Sequence, residues 1–292
     1  MSTPTLTAPT VEALAHAHPE FTPWLDLLVA VDAEAAAPVW ADAASETPVA
    51  VGAPLLTGAT LSIDADHAAA WWRRLVDLGA RSAPALASLD ARVDPLAVLE
   101  AAIALDVTRL DALAAASGVP AEAFRAVAPL SAYPWLQRCG ARSRDRVPAD
   151  HTSGWCPICA AWATLTESRG LEGARRLRCG RCGAEWAAHW LRCPFCGTDE
   201  HARLRGLASA TTSESRRADG CAACGAWVKT IATLGACTVA EVRLLDLATV
   251  ELDVAALERG WKRPTGLGAP LDVRIVPRPA KPAASPRRWW RR

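Results

Sequence analysis

The chain has 292 residues, of which 51% are apolar, so it is long enough to bury one large core or two modest ones. Its 32 Lys and Arg residues stand against 31 Asp and Glu residues, which leaves a net charge of +1. This balance excludes a global electrostatic attraction to nucleic acid, to membranes or to acidic substrates.

The N-terminal region carries no recognisable targeting signal. The first basic residue is Arg73, so no positively charged segment precedes an apolar stretch. No run reaches the roughly 18–20 apolar residues that a bilayer span needs, and the nearest candidate, Leu25–Ala30, is far too short. We therefore expect a soluble protein that stays in the compartment where it is made.

Residues 1–150 are predicted to form a mainly helical domain. Asp64 is a suitable N-cap for a helix whose apolar residues share one face and which Gly79 ends. Asp94 and the following proline predict the start of another helix, in which apolar residues recur at helical spacing as far as Leu113. Gly118 and the proline after it end this helix, and a short further helix is expected before residue 128.

Eight of the ten cysteines fall in one stretch of the chain and form four CxxC pairs. In a reducing compartment such pairs are more typical of metal sites than of disulfides. Two residues between cysteines let the chain wrap around one metal ion, with both sulfurs on one edge of a tetrahedron. The four pairs are Cys156-Pro-Ile-Cys159, Cys179-Gly-Arg-Cys182, Cys193-Pro-Phe-Cys196 and Cys221-Ala-Ala-Cys224.

Each pair supplies two ligands, so two pairs must meet to close a site. Sequential pairing predicts one site of Cys156, Cys159, Cys179 and Cys182 and a second site of Cys193, Cys196, Cys221 and Cys224. The first pair of each predicted site reads C-P-x-C, which favours two copies of one unit. An interleaved pairing is the alternative, and scattered core cysteines are a weaker one.

The turns and the metal can be partly anticipated. Glycine directly follows three of the four pairs and allows the positive φ that such turns often need; Ala160 follows the first pair, so that turn is expected to be strained or differently shaped.

Four thiolates suit zinc, single iron ions or iron–sulfur clusters, and the repeated spacing favours single metals. Closed four-cysteine sites lack the open position that Lewis-acid hydrolysis requires, and no phosphate loop, GxSxG or HExxH motif is present, so we do not expect an enzyme.

The predicted fold is of the α+β class. A helical domain, residues 1–150, precedes two tandem rubredoxin-like or zinc-ribbon modules with short β-hairpins, residues 151–262. Residues 263–292 are basic and proline-rich and are expected to be a disordered tail, with an electrostatic docking arm as the alternative. Cys139 and Cys237 are expected to be buried and inert, and the arginines around the second and third pairs to form a solvated or partner-facing surface.

Beyond the cysteine pairs, the segment from Cys156 to about Pro264 resembles the FdhE family, the accessory proteins for formate dehydrogenase formation. The resemblance rests on order and spacing: the four pairs, then Leu177-Arg178 before the second pair and Glu185-Trp186 after it, Trp227-Val228-Lys229, Asp246-Leu247-Ala248, Leu252-Asp253 and Glu258-x-Gly260-Trp261. The family implies a cytoplasmic protein with two rubredoxin-type iron ions (Fe3+/Fe2+), each held by four of the eight cysteines, zinc being possible. It also implies contact with the catalytic subunit of a respiratory formate dehydrogenase before that subunit is exported.

Two other functions are compatible with the residues alone. A rubredoxin-like protein for electron transfer or redox sensing would use iron in the same thiolate sites. A zinc-ribbon nucleic-acid binder would use the arginines and the basic tail, although the basic bias of the cysteine-rich region is weak for that role.

Overall fold

The computed structural model describes residues 8–41, 52–89, 93–208 and 215–278. It confirms the α+β fold class: helices fill the N-terminal half and strands accompany the cysteine pairs. Nine α-helices are found in these residues: α1 Val11–Ala17, α2 Thr22–Ala35, α3 Ala65–Gly79, α4 Pro95–Ala104, α5 Val107–Ala116, α6 Ala121–Val127, α7 Tyr133–Arg142, α8 Val239–Leu247 and α9 Val250–Glu258. The eight strands there are β1 Ala59–Ile63, β2 Leu165–Arg169, β3 Ala174–Arg178, β4 Glu185–Ala187, β5 Leu204–Ala208, β6 Arg216–Cys221, β7 Trp227–Thr233 and β8 Val273–Pro277.

The helix starts follow the capping residues in the sequence. The Asp64 carboxylate accepts hydrogen bonds from the backbone N–H groups of Asp66 and His67, at 2.9 and 3.1 Å, and so begins α3 as predicted. The Asp94 carboxylate accepts from the N–H of Leu96 at 2.9 Å and begins α4. These caps satisfy backbone donors that have no partner inside the helix, which fixes where each helix begins.

The predicted long helix from Asp94 to Gly118 is wrong, because the structure divides it into α4 and α5. Leu105 adopts a left-handed conformation (φ 48°), which ends α4. Asp106 then caps α5 by accepting from the N–H of Arg109 at 3.0 Å. The apolar spacing continues through the break since both helices pack on the same core, so periodicity alone did not reveal it.

Six strands form one sheet in the order β4-β3-β2-β7-β6-β5. Neighbouring strands are antiparallel except β2 and β7, which run parallel with Leu165 opposite Lys229. The sheet is therefore two antiparallel three-stranded units joined edge to edge. Each unit has the same order along the chain: cysteine pair, two strands of a hairpin, cysteine pair, third strand. Helix α8 packs beside the joint through Val242 and Leu245.

The first unit shares its hydrophobic core with the helices. One cluster of buried residues contains the cysteines of the first two pairs together with side chains from α2, α3, α4 and α7. The N–H groups of Leu55 and Leu56 donate to the carbonyl oxygens of Pro157 and Ile158, at 2.8 and 3.1 Å. A Cβ at Gly140 would overlap the carbonyl oxygen of Cys182, so α7 and the second pair approach as closely as only glycine allows. A domain boundary at residue 150 stays a prediction.

The predicted disorder after residue 262 does not hold for the described part of that segment. β8 pairs in parallel with β1, with Ala59 opposite Val273, and the N–H of Arg278 donates to the carbonyl oxygen of Ile63 at 2.6 Å. β1 turns every second side chain into the core, which gives β8 a fixed partner. Residues 279–292 of the predicted tail lie outside the described residues. No helix in the described part of the chain combines the length and apolar character of a membrane span.

Candidate metal centres

The structure brings the eight predicted cysteines together in two groups of four. The first group contains Cys156, Cys159, Cys179 and Cys182, the second contains Cys193, Cys196, Cys221 and Cys224, and the sulfur atoms of each group lie within 4.8 Å of one another. This is the sequential pairing; the interleaved alternative is not what the fold contains. That these groups bind metal remains a prediction, which the donor geometry allows.

Sulfur–sulfur distances in both groups suit a single four-coordinate ion. In the first group, the Sγ atoms of Cys156 and Cys182 are 3.4 Å apart and those of Cys159 and Cys179 are 3.6 Å apart. In the second group the corresponding cross-pair distances, Cys193–Cys224 and Cys196–Cys221, are 3.8 and 3.7 Å. A tetrahedron with metal–sulfur bonds of about 2.3 Å has sulfurs about 3.8 Å apart, so a bound ion would require little rearrangement.

All four cysteine pairs form the same turn. In each, the residue after the second cysteine donates its N–H to the carbonyl oxygen of the first cysteine, at 2.7–3.0 Å, and has a positive φ. These residues are Ala160, Gly183, Gly197 and Gly225, with φ of 60°, 78°, 76° and 71°. The first turn was expected to be strained or differently shaped, and its shape is the same as that of the others. Only the strain remains, because Ala160 adopts the glycine-like conformation although its Cβ disfavours it.

Burial and hydrogen bonding set the proton affinities in the first group. Burial, followed by the neighbouring thiols, raises the pKa of Cys156 well above its usual value. Hydrogen bonds from the thiols of Cys156, Cys159 and Cys182 lower the pKa of Cys179 well below the usual value. Four buried thiols cannot all ionise side by side unless a cation offsets their charge, so this group is poised to exchange protons for a metal ion.

The second group differs from the first in its exposure to solvent. Cys193 and Cys221 are buried, whereas Cys196 and Cys224 are exposed. Burial opposes ionisation of Cys221, but hydrogen bonds from the backbone N–H groups of Cys224 and Ala223, together with those from the thiols of Cys196 and Cys193, lower the pKa of this thiol. Burial raises the pKa of Cys224 to about 11. Two identical ligand sets thus lie in different environments, one inside the helical core and one near the surface.

A buried ion-pair cluster lies within the first unit, and the sequence analysis missed it. Glu167 on β2 is fully buried; its carboxylate accepts from Arg178, from Arg169 at 2.9 Å and from the N–H of Cys237 at 3.0 Å. Arg178 also donates to the carbonyl oxygen of Cys237 at 2.5 Å. The available signal was a glutamate between the first two cysteine pairs with arginines nearby in the chain, because a buried carboxylate needs basic partners.

Lys229 is a second buried charge, which the sequence analysis named only as part of the family resemblance. Its Nζ lies 2.6 Å from Asp246 Oδ1 and 2.8 Å from Asp253 Oδ2, which ties β7 to α8 and α9. Three stretches that carry the family resemblance thereby meet in space: Trp227–Lys229, Asp246–Ala248 and Leu252–Asp253.

The other residues singled out in the sequence have structural roles. Cys139 is buried in the core as predicted, whereas Cys237 is half-buried. The expected solvated arginine surface is wrong for three arginines: Arg178 and Arg181 are buried, and the side chain of Arg175 is only 7% exposed. All three bond to carboxylates or carbonyl oxygens. His151, just before the first cysteine pair, donates a hydrogen bond from Nε2 to the carbonyl oxygen of Trp155 at 2.8 Å.

The fold and the two groups define a class of protein with two four-cysteine ribbons, a ribbon being one three-stranded unit with its two cysteine pairs. The first ribbon shares its core with the N-terminal helices. No protein-family model matches the chain. Proteins named FdhE homolog are similar to it: one from Aquifex aeolicus (strain VF5) is 29% identical over 123 residues, 40% of this chain and 43% of the relative. Another, from Stutzerimonas stutzeri (strain A1501), is 31% identical over 111 residues, 37% of this chain and 35% of the relative.

A crystal structure of the FdhE protein from Pseudomonas aeruginosa shares the fold, with a TM-score of 0.54 and 22% identity over 92% of this chain and 100% of that chain. The sequence matches span less than half the length of the curated relatives. Together these likenesses confirm the predicted resemblance to the FdhE family.

Proposed function

We propose that this protein is a metal-binding accessory factor for the maturation of a respiratory formate dehydrogenase, acting in the cytoplasm by binding the catalytic subunit of that enzyme. The observation that carries the proposal is the presence of two closed four-cysteine groups in a fold shared with an FdhE protein. The names of the sequence relatives support the same accessory role.

The eight cysteines are proposed to hold two iron ions, one per group. Four thiols with sulfur–sulfur distances of 3.4–3.8 Å fit iron or zinc. The backbone also favours thiolates: the N–H of Ile158 lies 3.4 Å from Cys156 Sγ, and N–H groups of the turn face Cys221. Iron held in this way can cycle between Fe3+ and Fe2+. Because both sites are closed, we propose a non-enzymatic role.

Metal analysis of the full chain tests the site assignment. Protein purified without chelators is expected to contain two metal ions per chain, and iron-loaded protein to show thiolate-to-iron absorption in the visible range. Cys196→Ser should lower the content to one ion. Cys237→Ser is the matched control, because this cysteine is outside both groups. Native protein without tightly bound iron or zinc would refute the assignment.

Co-purification tests the partner. The tagged full chain is expected to capture the formate dehydrogenase catalytic subunit from cell extract, and a strain lacking the protein should lose most formate dehydrogenase activity. Full activity in that strain, with no capture of the subunit, would contradict the proposed role. The metal assay and the capture assay are independent, so either part of the proposal can fail alone.

Electron transfer or redox sensing is the second candidate, and the exposure of Cys196 and Cys224 favours it. Electrons reach a metal more readily when its ligands are at the surface, and the second group offers such a path. A visible spectrum that does not change between reduced and oxidised protein, or a colourless protein with two zinc ions, would remove this candidate. Nucleic-acid binding is disfavoured, since two of the arginines that suggested it, Arg178 and Arg181, are buried and the side chain of Arg175 is only 7% exposed.

A further inference from the structure

A cavity of about 300 Å³ lies directly against the second cysteine group. Cys193 and Cys221 form part of its wall, so anything bound there would contact the backbone and side chains that hold the second site. Trp190 and Leu191 stand at its edge and are 49% and 61% exposed. Phe195 adds a further apolar surface. Cavities of this size hold a small ligand or one or two side chains.

The polar lining of the cavity is strongly basic. Four arginines, Arg175, Arg192, Arg205 and Arg217, face a single carboxylate, that of Asp219. Asp219 is shared by Arg175 and Arg217, each at 2.7 Å. Arg192 and Arg205 have no carboxylate partner within the described residues and bond only to carbonyl oxygens. The cavity therefore has an excess of positive charge that nothing in the described chain neutralises.

Arg175 supplies a second indication, which it shares with five other arginines of the described residues whose buried Nε–H also has no acceptor. Its side chain is only 7% exposed, and its Nε–H has no hydrogen-bond acceptor among the described residues. Its guanidinium lies 5.4 Å from the ring centroid of Trp190, which keeps the group in place. Buried donors are normally satisfied, because an unpaired one costs about 1–3 kcal/mol. An acceptor atom of a ligand in the cavity would supply the missing partner.

We propose that this cavity is a binding site for an organic anion: a ligand that carries a carboxylate or phosphate next to a planar or apolar portion. The anionic group would be bound by Arg192, Arg205 and Arg175, and the apolar portion would lie against Trp190 and Phe195. This chemistry is supplied by a free small molecule or by an acidic residue beside an aromatic one in a protein segment. The proposal depends on a folded second cysteine group and not on the accessory function.

Binding of 2-naphthoate to the full-length, zinc-loaded chain tests the proposal, with 2-naphthalenemethanol as the neutral probe of similar size. Ligand-observed NMR titration is expected to show at least tenfold tighter binding of the anion. The double variant Arg192→Gln, Arg205→Gln should lose at least tenfold in affinity for naphthoate. The double variant Arg73→Gln, Arg74→Gln is the matched control, since it removes the same charge from exposed positions of α3 and should bind as the wild type does.

Three results would overturn the proposal: no binding of naphthoate, equal binding of the anion and the alcohol, or an equal loss in the control variant. Zinc content and circular dichroism verify that each variant is folded, and the salt dependence of naphthoate binding to the wild type gives a second measurement that needs no variant. The peptide acetyl-Glu-Phe-Glu-amide distinguishes the sources. Tighter binding of this peptide than of naphthoate assigns the cavity to a protein segment, and weaker binding assigns it to a small molecule.

Discussion

The two metal ions are expected to leave the protein at very different rates. The thiols of the first group are buried inside the core that the sheet shares with the helices, whereas Cys196 and Cys224 of the second group are exposed. A chelator can therefore approach the second ion directly. To reach the first ion, it must wait until the first ribbon separates from the helical domain.

The size of the difference follows from the contacts that such an opening breaks. The backbone hydrogen bonds of Leu55 and Leu56 to the first cysteine pair would be lost, as would the bond from Arg181 to the carbonyl oxygen of Ala102. Local openings cost from about 0 kcal/mol up to the full free energy of unfolding, about 5–15 kcal/mol. A gap of about 3 kcal/mol lies well within this range and corresponds to roughly a hundredfold difference in rate.

Stopped-flow absorbance with an excess of the coloured chelator 4-(2-pyridylazo)resorcinol measures both rates on zinc-loaded protein. We expect one equivalent of zinc to be released in a fast phase and one in a phase at least a hundredfold slower. Cys196→Ser should remove the fast equivalent, and Cys237→Ser should leave both phases unchanged. Release of both ions at one rate would refute the argument from burial, as would loss of the slow phase in Cys196→Ser.

Three further predictions concern stability. Glu167→Gln removes the nearest carboxylate of the buried Arg178, leaving only that of Glu185 at 3.9 Å, and is expected to cost about 3–5 kcal/mol in urea denaturation; a cost below 1 kcal/mol would contradict the buried pair. Gly225→Ala should lower the free energy of unfolding by about 1 kcal/mol because the φ of Gly225 is positive. Both metals should remain bound, since an added Cβ meets nothing within 4 Å and Ala160 already adopts the same turn. Loss of metal would show that the turns are not equivalent. Burial raises the pKa of Cys139 to about 12, so its neutral thiol contributes stability that is full below about pH 9 and is lost as the pH rises toward 12. The difference in unfolding free energy between wild type and Cys139→Ala should therefore shrink over that pH range. A difference that stays constant would contradict this prediction.

Local features were predictable from the sequence because they depend on neighbouring residues. The CxxC pairs specify their own turns, and Asp64 and Asp94 specify helix starts through bonds to residues two or three positions away. The ligand groups could be proposed since the four cysteine pairs can be combined two by two in only a few ways. Even Ala160, which differs from the glycine at the other three turns, adopts the conformation that the motif requires.

Long-range features were not predictable, because their partners are far apart in the chain. The pairing of β1 with β8 joins residues near position 60 to residues near position 275, and nothing local marks either strand as the partner of the other. The parallel joint between β2 and β7 is similar, since each strand also completes an antiparallel unit of its own. The buried arginines were misassigned for the same reason: Arg178 is expected at the surface until Glu167 is known to lie beside it.

The difference between the two metal groups arises from what lies next to each ribbon and not from the ligands. Both ribbons repeat the same cysteine pairs, turns and three strands, so the ligand chemistry alone would give two equivalent sites. The first ribbon is enclosed because helices precede it and Gly140 lets α7 approach its second cysteine pair. The second ribbon is at the far end of the sheet, where β5 is an edge strand and Cys196 and Cys224 reach solvent. Two units of the same construction thus differ in their surroundings: one cysteine group is enclosed in the core and the other faces solvent.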